Sequence, residues 1–156
     1  MLVLGIDPGL RFTGFGLIDE KFKVVGHGII KPRGESLAEK LHSIYQQFND
    51  VLQEYSPDVA VVESTIYYRN VKTALTLGAV RGILLLGLQQ NGIRFFEVSP
   101  TKIKLSLTGV GRAKKEQLEY MVKKILSLKE DISSHESDAL ALSLWFLKRK
   151  KHAVFS

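Results

Sequence analysis

Two short apolar segments, each ending in a carboxylate, constrain this chain more than any other feature of its sequence. The first is "LVLGID", residues 2–7, and the second is "VAVVE", residues 59–63. Unbroken apolar runs of this length are typical of strands buried on both faces of a sheet. A carboxylate at the end of such a strand is costly to bury without a partner, so Asp7 and Glu63 are candidates for a functional site.

The rest of the first half predicts more strands and a helix. Residues 13–19 and 23–30 have strand composition and follow the first strand after short polar turns, which favours an antiparallel meander. Ser36 and Glu39 have the spacing of a capping box, and apolar residues at helical spacing continue from there to Tyr55. A helix is therefore expected between the meander and the second carboxylate-ended strand.

The second half alternates helices with one strand. The expected elements are a helix at about 71–90, a strand at 94–98, a short helix from Ser99-Pro100, a helix at 113–127, and a final helix capped by Ser133 or Ser134. Strands that are reached through helical crossovers run parallel to one another. We therefore predict one α/β domain, residues 1–156, with a mixed five-stranded sheet flanked by helices.

Composition narrows the classes of function. The chain has no cysteine, which excludes disulfides, thiolate nucleophiles and cysteine-ligated zinc sites. Its first apolar run is too short for a signal sequence, and no uninterrupted apolar stretch has transmembrane length, so a cytoplasmic location is expected. The formal net charge of +6 favours an anionic partner, with nucleic acid as the first candidate.

A third carboxylate lies in "SSHESDALALSLWF", residues 133–146. His135 and Asp138 are three residues apart at the start of the last predicted helix, so they share a face that its apolar neighbours turn inward. Asp7, Glu63 and Asp138 together would form an oxygen-rich site suited to Mg²⁺ or Mn²⁺. The alternative is that Asp138 only stabilises the helix N-terminus and that Asp7 only belongs to a turn.

Longer motifs point to one family. They are "GIDPGLRFTGFG" (5–16), "VVE" (61–63), "TALTLGAVRG" (73–82), "VSPTKIKLSLTGVGRAKKEQ" (98–117) and "SDALALSL" (137–144). With these motifs the chain resembles, over nearly its whole length, the bacterial RuvC Holliday-junction resolvases. The resemblance implies an RNase H-like fold and a homodimeric endonuclease that nicks opposing strands of a four-way DNA junction. It also implies cooperation with the RuvA-RuvB branch-migration complex.

The resemblance places the four active-site positions of the family on Asp7, Glu63, His135 and Asp138. Most members have aspartate where this chain has His135. An imidazole can still bind a metal, with a preference for Mn²⁺ over Mg²⁺, or act as a general base. Two cations per subunit are expected, because paired cations activate water and relieve charge on the leaving oxygen. We expect Asp7 to bridge them, Glu63 and Asp138 to hold one each, and His135 to hold a metal or orient the attacking water.

Basic residues around a Gly-x-Gly turn are candidate DNA contacts. The resemblance implies that Lys104 and Lys115 bind junction phosphates, and Arg112 belongs to the same cluster. The alternative is a solvated helix face, which we favour for Lys102 and Lys114.

The segment after the second carboxylate-ended strand departs from the family. Ile66 stands where members often have a phenylalanine that stacks on bases. Either Tyr67 or Tyr68 can replace it, because aromatic stacking tolerates any base, or both tyrosines can pack within the loop. Arg69 is a candidate phosphate contact. The basic tail "KRKK" either complements the last helix or adds non-specific affinity for DNA.

The long helix carries a stripe of small residues. Ala74, Gly78 and Gly82 recur at four-residue spacing, although glycine is unfavourable inside a helix. Such a stripe lets another backbone approach closely, either the sheet beneath or the same helix of a second subunit. We favour the homodimer, since two-fold pairing is the commonest oligomer symmetry and presents two active sites to two strands.

Three other functions stay open on the residues alone. An actin-like or sugar-kinase-type ATPase begins with a similar strand and loop, but it needs two such domains. A DNA-binding module without catalysis would use the basic charge but would not need three clustered carboxylates. A related RNase H-like nuclease would act on RNA ends or RNA–DNA hybrids.

Overall fold

A computed structural model describes residues 1–64 and 70–155, the last three of them as backbone only. The elements are β1 Leu2–Asp7, β2 Thr13–Asp19, β3 Val24–Ile30, α1 Leu37–Tyr55, β4 Val59–Glu63, α2 Val71–Gln90, β5 Arg94–Val98, α3 Pro100–Thr108, α4 Lys115–Leu126 and α5 Ser134–Phe155. The expected order of strands and helices is confirmed. Helix α4 is shorter than expected, because Lys114 has extended backbone angles and precedes the first helical residue.

The sheet is mixed and has the order β3-β2-β1-β4-β5. Strands β1, β2 and β3 pair antiparallel, whereas β4 pairs parallel with both β1 and β5. This confirms the expected meander followed by crossover strands. Because β1 and β4 are parallel neighbours at the centre, their carboxyl ends lie at the same edge of the sheet.

Helices cover both faces of the sheet and form two apolar cores. Helices α3, α4 and α5 pack on one face, where Val3 and Val61 are fully buried. Helices α1 and α2 pack on the other face, where Leu4 and Ile6 are fully buried. Successive residues of a strand point to opposite faces, so β1 contributes to both cores and its apolar run is explained.

Helix α5 lies directly on the backbone of the sheet. A methyl group at Gly5 of β1 would collide with the carbonyl of Ala139, and one at Gly14 of β2 would collide with the carbonyl of His135. Farther along, the hydroxyl of Ser143 donates a hydrogen bond to the carbonyl of Gly16 at 2.9 Å. Glycine is needed where two backbones approach this closely. The first turns of α5 are therefore held against the carboxyl end of β1.

A capping box starts α5. The hydroxyl oxygen of Ser133 accepts from the backbone N–H of Glu136 at 3.2 Å, and the Glu136 carboxylate accepts from the backbone N–H of Ser133 at 3.3 Å. This settles the choice between the two candidate caps in favour of Ser133. At α1, Ser36 caps the backbone N–H of Glu39, but the carboxylate accepts from the serine hydroxyl, so that predicted capping box is only half formed.

Helix α2 is apolar on both its inner and its outer side. Its buried residues, including Val80 and Leu84, pack against the sheet and α1, while Val71, Leu75 and Leu86 are exposed. Among the described helices it is the one with the length and apolar composition to span a membrane. Helices that are apolar all round are normally covered on all sides. Here the subunit itself covers one side.

Candidate active site

The fold brings the two strand-end carboxylates together. Ile6 of β1 pairs with Val62 of β4, so Asp7 and Glu63 each follow the same rung of two adjacent strands. Asp138 joins them from the first turns of α5, and its charge acts on both. The expected convergence of the three acids is what the described residues show, while their roles in catalysis stay predictions.

Close spacing and burial raise the pKa values of these carboxyl groups above their usual range. Burial is the main reason why the pKa of Asp7 is raised to about 9, and the charge of Glu63, a hydrogen bond with Glu63 and the charge of Asp138 add to it. Burial also raises the pKa of Glu63 and of Asp138. In the absence of a cation, Asp7 therefore holds a proton at neutral pH, next to the Glu63 carboxylate.

Two lysines share one cavity with the acids. The cavity has a volume of about 170 Å³ and is lined by Glu63, Pro100, Ile103, Lys104, Lys115, Leu118, Asp138, Ala141 and Leu142. The ammonium nitrogen of Lys115 lies 3.4 Å from Oδ2 of Asp138. The charges of both lysines lower the pKa of Glu63 and of Asp138, partly opposing the effect of burial. A cavity lined by both carboxylates and ammonium groups suits a metal-bound phosphate.

His135 lies at the margin of this cluster. Its charge is felt by Asp138, one helical turn later, where it lowers the pKa of that carboxyl group. Its ring packs against Phe12, with ring centroids 5.5 Å apart and planes tilted by 59°. Phe12 belongs to the loop after β1, and its contact restrains the imidazole. The sequence analysis missed this residue, although it lies within the motif that begins the chain.

The residues present fit a divalent cation. Three adjacent carboxylates with raised pKa values repel one another, and a divalent cation removes that repulsion. Carboxylate oxygens are also the donors that Mg²⁺ and Mn²⁺ prefer. Within residues 1–64 and 70–155, no three His, Asp or Glu side chains already surround a common metal-sized point. The carboxylates would therefore have to turn toward a bound ion.

Arg81 of α2 is a second residue that the sequence analysis missed. Its Nη1 donates to the backbone carbonyl of Glu63 at 2.8 Å, and its Nη2 lies 2.7 Å from Oε1 of Glu97 on β5. In the sequence it is a polar interruption of an apolar helix, and nothing in that pattern indicates which side it faces.

Other candidate DNA contacts lie elsewhere. Arg112 is exposed in the turn between α3 and α4, apart from the residues that line the cavity. Lys102 is exposed on α3, and Lys114 is exposed just before the first residue of α4. The candidates Tyr67, Tyr68 and Arg69, together with Ile66, lie outside the described residues.

The small-residue stripe of α2 faces outward. A methyl group added at Gly78 or Gly82 would have nothing within 4 Å, and Ala74 is half-buried. The alternative in which the glycines let the sheet beneath approach is therefore wrong for the described part of the chain. The sheet contacts the opposite side of α2, through larger residues such as Val80 and Leu84.

Comparison with known sequences gives a consistent result. A family model described as "Crossover junction endodeoxyribonuclease RuvC" matches residues 3–146. A protein of that name from Dictyoglomus thermophilum is 35% identical over 156 residues, which are 97% of this chain and 99% of the relative. One from Cupriavidus metallidurans is 40% identical over 148 residues, covering 92% of this chain and 82% of the relative.

Solved structures show the same likeness. A Thermus thermophilus RuvC in complex with a Holliday junction substrate superposes with a TM-score of 0.90 at 30% identity, covering 98% of this chain and 96% of the other. Another Thermus thermophilus RuvC structure has a TM-score of 0.87 at 29% identity, with 97% of each chain covered. The yeast mitochondrial Holliday junction resolvase Ydc2 has a TM-score of 0.64 at 15% identity, covering 96% of this chain and 82% of that one, and shows a shared fold.

Proposed function

This chain belongs to the RuvC family of crossover junction endodeoxyribonucleases, and on that premise we propose that it resolves four-way DNA junctions by hydrolysing phosphodiester bonds in opposing strands. One observation about the chain's own residues carries the proposal. Asp7, Glu63 and Asp138 meet at one edge of the sheet, and Glu63 and Asp138 line the same cavity as Lys104 and Lys115. A DNA-binding module without catalysis would have no use for three partly buried carboxylates with raised pKa values at one edge of the sheet.

The carboxylates supply the ligands of the metal centre. We assign Asp7, Glu63 and Asp138 as the residues that would hold two Mg²⁺ or Mn²⁺ ions. Asp7 would be shared by both ions, because it lies on the central strand and feels the charge of both other acids, and Glu63 and Asp138 would each hold one. When bound, such ions lower the pKa of a water molecule and stabilise charge on the leaving oxygen.

His135 completes the site from the margin. Its ring packs against Phe12, and its charge acts on Asp138 one helical turn later. We assign it to bind a metal or to orient the attacking water and take its proton. The site is then less anionic than a site with four carboxylates, which favours Mn²⁺.

Lys104 and Lys115 bind the scissile phosphate and its neighbour. Both lysines line the same cavity as Glu63 and Asp138, so a DNA strand that enters the cavity would meet positive charge there. In the absence of DNA, Lys115 pairs with Asp138 instead. We also assign Arg112 and Arg69 to phosphate contacts and the aromatic pair Tyr67 and Tyr68 to base stacking.

A homodimer formed through α2 would bring two such sites to one junction. Exposed Val71, Leu75 and Leu86 extend the stripe of Ala74, Gly78 and Gly82 along the outer side of the helix. An apolar helix face of this kind, open on a soluble subunit, is explained when a second copy covers it. Cooperation with RuvA-RuvB and a cytoplasmic location follow from the family and remain parts of the proposal.

The test is cleavage of labelled four-way junctions, with linear duplex of the same sequence and an RNA–DNA hybrid as controls. We expect paired nicks in opposing strands that depend on Mg²⁺ or Mn²⁺. Asp7→Asn, Glu63→Gln and Asp138→Asn should each abolish cleavage and retain junction binding, because affinity for DNA comes mainly from basic contacts. Equal cleavage of the linear duplex or the hybrid would contradict the proposal.

A further inference from the structure

Arg81 connects three elements at the edge of the sheet that carries the acids. It belongs to α2, its Nη1 donates to the carbonyl of Glu63 at the end of β4, and its Nη2 pairs with Glu97 of β5. The Arg81 side chain is only 16% exposed, while that of Glu97 is 49% exposed, so the guanidinium is largely removed from solvent and the carboxylate is not. Neither contact belongs to the binding of DNA or metal described above.

The carbonyl of Glu63 has a particular need for this donor. The hydrogen-bonded ladder between β4 and β5 ends here, where the backbone N–H of Ser64 donates to the carbonyl of Val98 at 2.8 Å. Beyond the last pair of this ladder, the Arg81 guanidinium donates a hydrogen bond to the partly buried carbonyl of Glu63. The backbone of Glu63 is thereby fixed at the point from which its carboxylate reaches the cavity.

We propose that Arg81 is a positioning residue for catalysis, which holds the Glu63 carboxylate in register with Asp7 and Asp138 by clamping the end of β4 to β5 and α2. The inference deepens the function proposed above and rests on it. Arg81 acts through Glu63, and its own side chain meets neither the DNA nor the cation.

The geometry requires arginine. The two acceptors, the carbonyl of Glu63 and the carboxylate of Glu97, lie on different strands and are reached by different nitrogens of one planar group. A lysine ammonium is a point charge on a flexible stem and does not reproduce this fixed fork. Arg81→Lys therefore keeps the charge and should lose the positioning, whereas Arg81→Met keeps only the apolar stem.

The contacts of Arg81 also affect the position of Lys104, which lines the cavity. Glu97 is followed by Val98 and then by α3, which carries Lys104. Loss of the Arg81–Glu97 contact should therefore make the distance between the Glu63 carboxylate and the Lys104 ammonium more variable. Outer residues that orient ligands typically contribute about 10-fold to 100-fold to metal affinity or activity.

The test compares wild type, Arg81→Met, Arg81→Lys and the control Arg94→Met, which removes an exposed arginine of β5. Two measurements are made on protein confirmed to be folded by circular dichroism. The first is the rise in Tm on adding Mn²⁺ without DNA. The second is a cleavage titration with Mn²⁺, which gives both kcat and the Mn²⁺ concentration for half-maximal cleavage. We expect both Arg81 variants to show a smaller Mn²⁺-induced rise and a kcat lower by about 10-fold or more. Their junction affinity should stay within about twofold, and Arg94→Met should match wild type.

The outcomes separate positioning from a purely structural role. If the Arg81 variants only lose stability, and keep the wild-type response to Mn²⁺ and the wild-type kcat below their melting range, the inference is overturned. If Arg81→Met does not fold, Arg81→Lys and Glu97→Ala decide by the same two measurements. Failure of the wild type itself to cleave junctions would instead contradict the proposed function.

Discussion

The ammonium group of Lys115 lies 3.4 Å from the carboxylate of Asp138, across the cavity edge where α4 begins and α5 turns over the sheet. Just over half of the lysine side chain is exposed, at 54%, so the pair contributes little to stability. The contact matters more for the proposed function than for stability. It places the Lys115 ammonium beside Asp138, where the proposed metal centre would meet a phosphate.

Lys115→Ala should weaken junction binding through the loss of one phosphate contact per subunit. The plot of log affinity against log salt concentration should lose about one unit of slope for each contact removed. Lys114→Ala is the matched control, since its side chain is exposed one residue earlier and lies apart from the cavity. Equal salt dependence in the two variants, measured by fluorescence anisotropy, would contradict the assignment of Lys115.

Asp7→Asn should abolish cleavage and raise stability. The folded-state pKa of Asp7 is raised from 3.8 to about 9, so the folded state of wild type loses stability as pH rises from the unfolded value toward the folded one. Asparagine does not ionise. Its advantage should therefore grow from pH 5 to pH 8 and reach on the order of 2 kcal/mol in the free energy of unfolding.

Urea denaturation at several pH values measures this advantage, with the exposed Asp50→Asn as control. Added Mn²⁺ should narrow the gap, because it binds the wild-type carboxylates and not the amide. A gap between wild type and Asp7→Asn that is the same at pH 5 and pH 8 would show that Asp7 is not buried among like charges.

His135→Ala should lose most of the cleavage activity, whereas His135→Asp should retain it. The aspartate restores a charged ligand, so its rate in Mg²⁺ should rise relative to its rate in Mn²⁺. The ratio of the two rates on one junction checks this, with His42→Ala, an exposed histidine of α1, as control. Cleavage by His135→Ala at the wild-type rate in both metals would reduce His135 to a residue of the helix start.

The ion pair of His27 and Glu136 should stabilise the fold most in mildly acidic solution. Burial lowers the pKa of His27, but hydrogen bonds to Glu136 and Glu130 outweigh it and raise the value above 6.5. Burial opposes the ionisation of Glu136 too, yet the hydrogen bonds from His27 and Ser133 lower its pKa below 4.5. The histidine contribution is complete below 6.5 and lost as pH rises through its folded pKa. The glutamate contribution is complete above 4.5 and lost as pH falls through its folded pKa.

A double-mutant cycle with His27→Gln and Glu136→Gln measures this pair. Since both groups are partly exposed, we expect a coupling free energy of about 1 kcal/mol between pH 4.5 and pH 6.5. The coupling should decline at pH 9. A coupling that is constant from pH 5 to pH 9 would contradict the prediction.

Gly78→Leu should yield monomers that are folded. A side chain at Gly78 meets open space within the subunit, and leucine favours helix more than glycine does, so the subunit itself should gain stability. Gly87→Leu is the contrasting variant, because its side chain would press on the ring of Phe48 and should destabilise the fold. Analytical ultracentrifugation decides, and a Gly78→Leu dimer as tight as wild type would place the interface elsewhere.

Most of the fold could be predicted because its signals are local. Apolar runs ending in Asp7 and Glu63 indicated the two central strands, and the Ser99-Pro100 pair indicated the start of α3, where Ser99 does cap the helix. Gly109, a residue type that often ends helices, adopts a left-handed conformation at the end of α3. The meeting of the acids followed from strand order and from the parallel pairing of β1 with β4.

What could not be predicted depends on contacts between distant segments. Arg81 and Glu97 are sixteen positions apart in the sequence, and only the packing of α2 beside the end of β5 brings them within 2.7 Å. The contact of Phe12 with His135 depends likewise on how far α5 extends over the loop after β1. Neither contact follows a helical or strand period, so periodicity carries no trace of it.

The glycines beneath α5 bear on how this enzyme can evolve. At Gly5 and Gly14 the main chain of the helix rests on the main chain of the sheet, with no side chain between them. These backbone contacts, rather than the side chains at positions 135 and 138, fix where the main chain of His135 and Asp138 lies. Position 135 can therefore carry an imidazole or a carboxylate on the same main-chain position, near Asp138. Such an exchange at this proposed catalytic position depends on Gly5 and Gly14, where a larger residue would collide with the backbone of the helix.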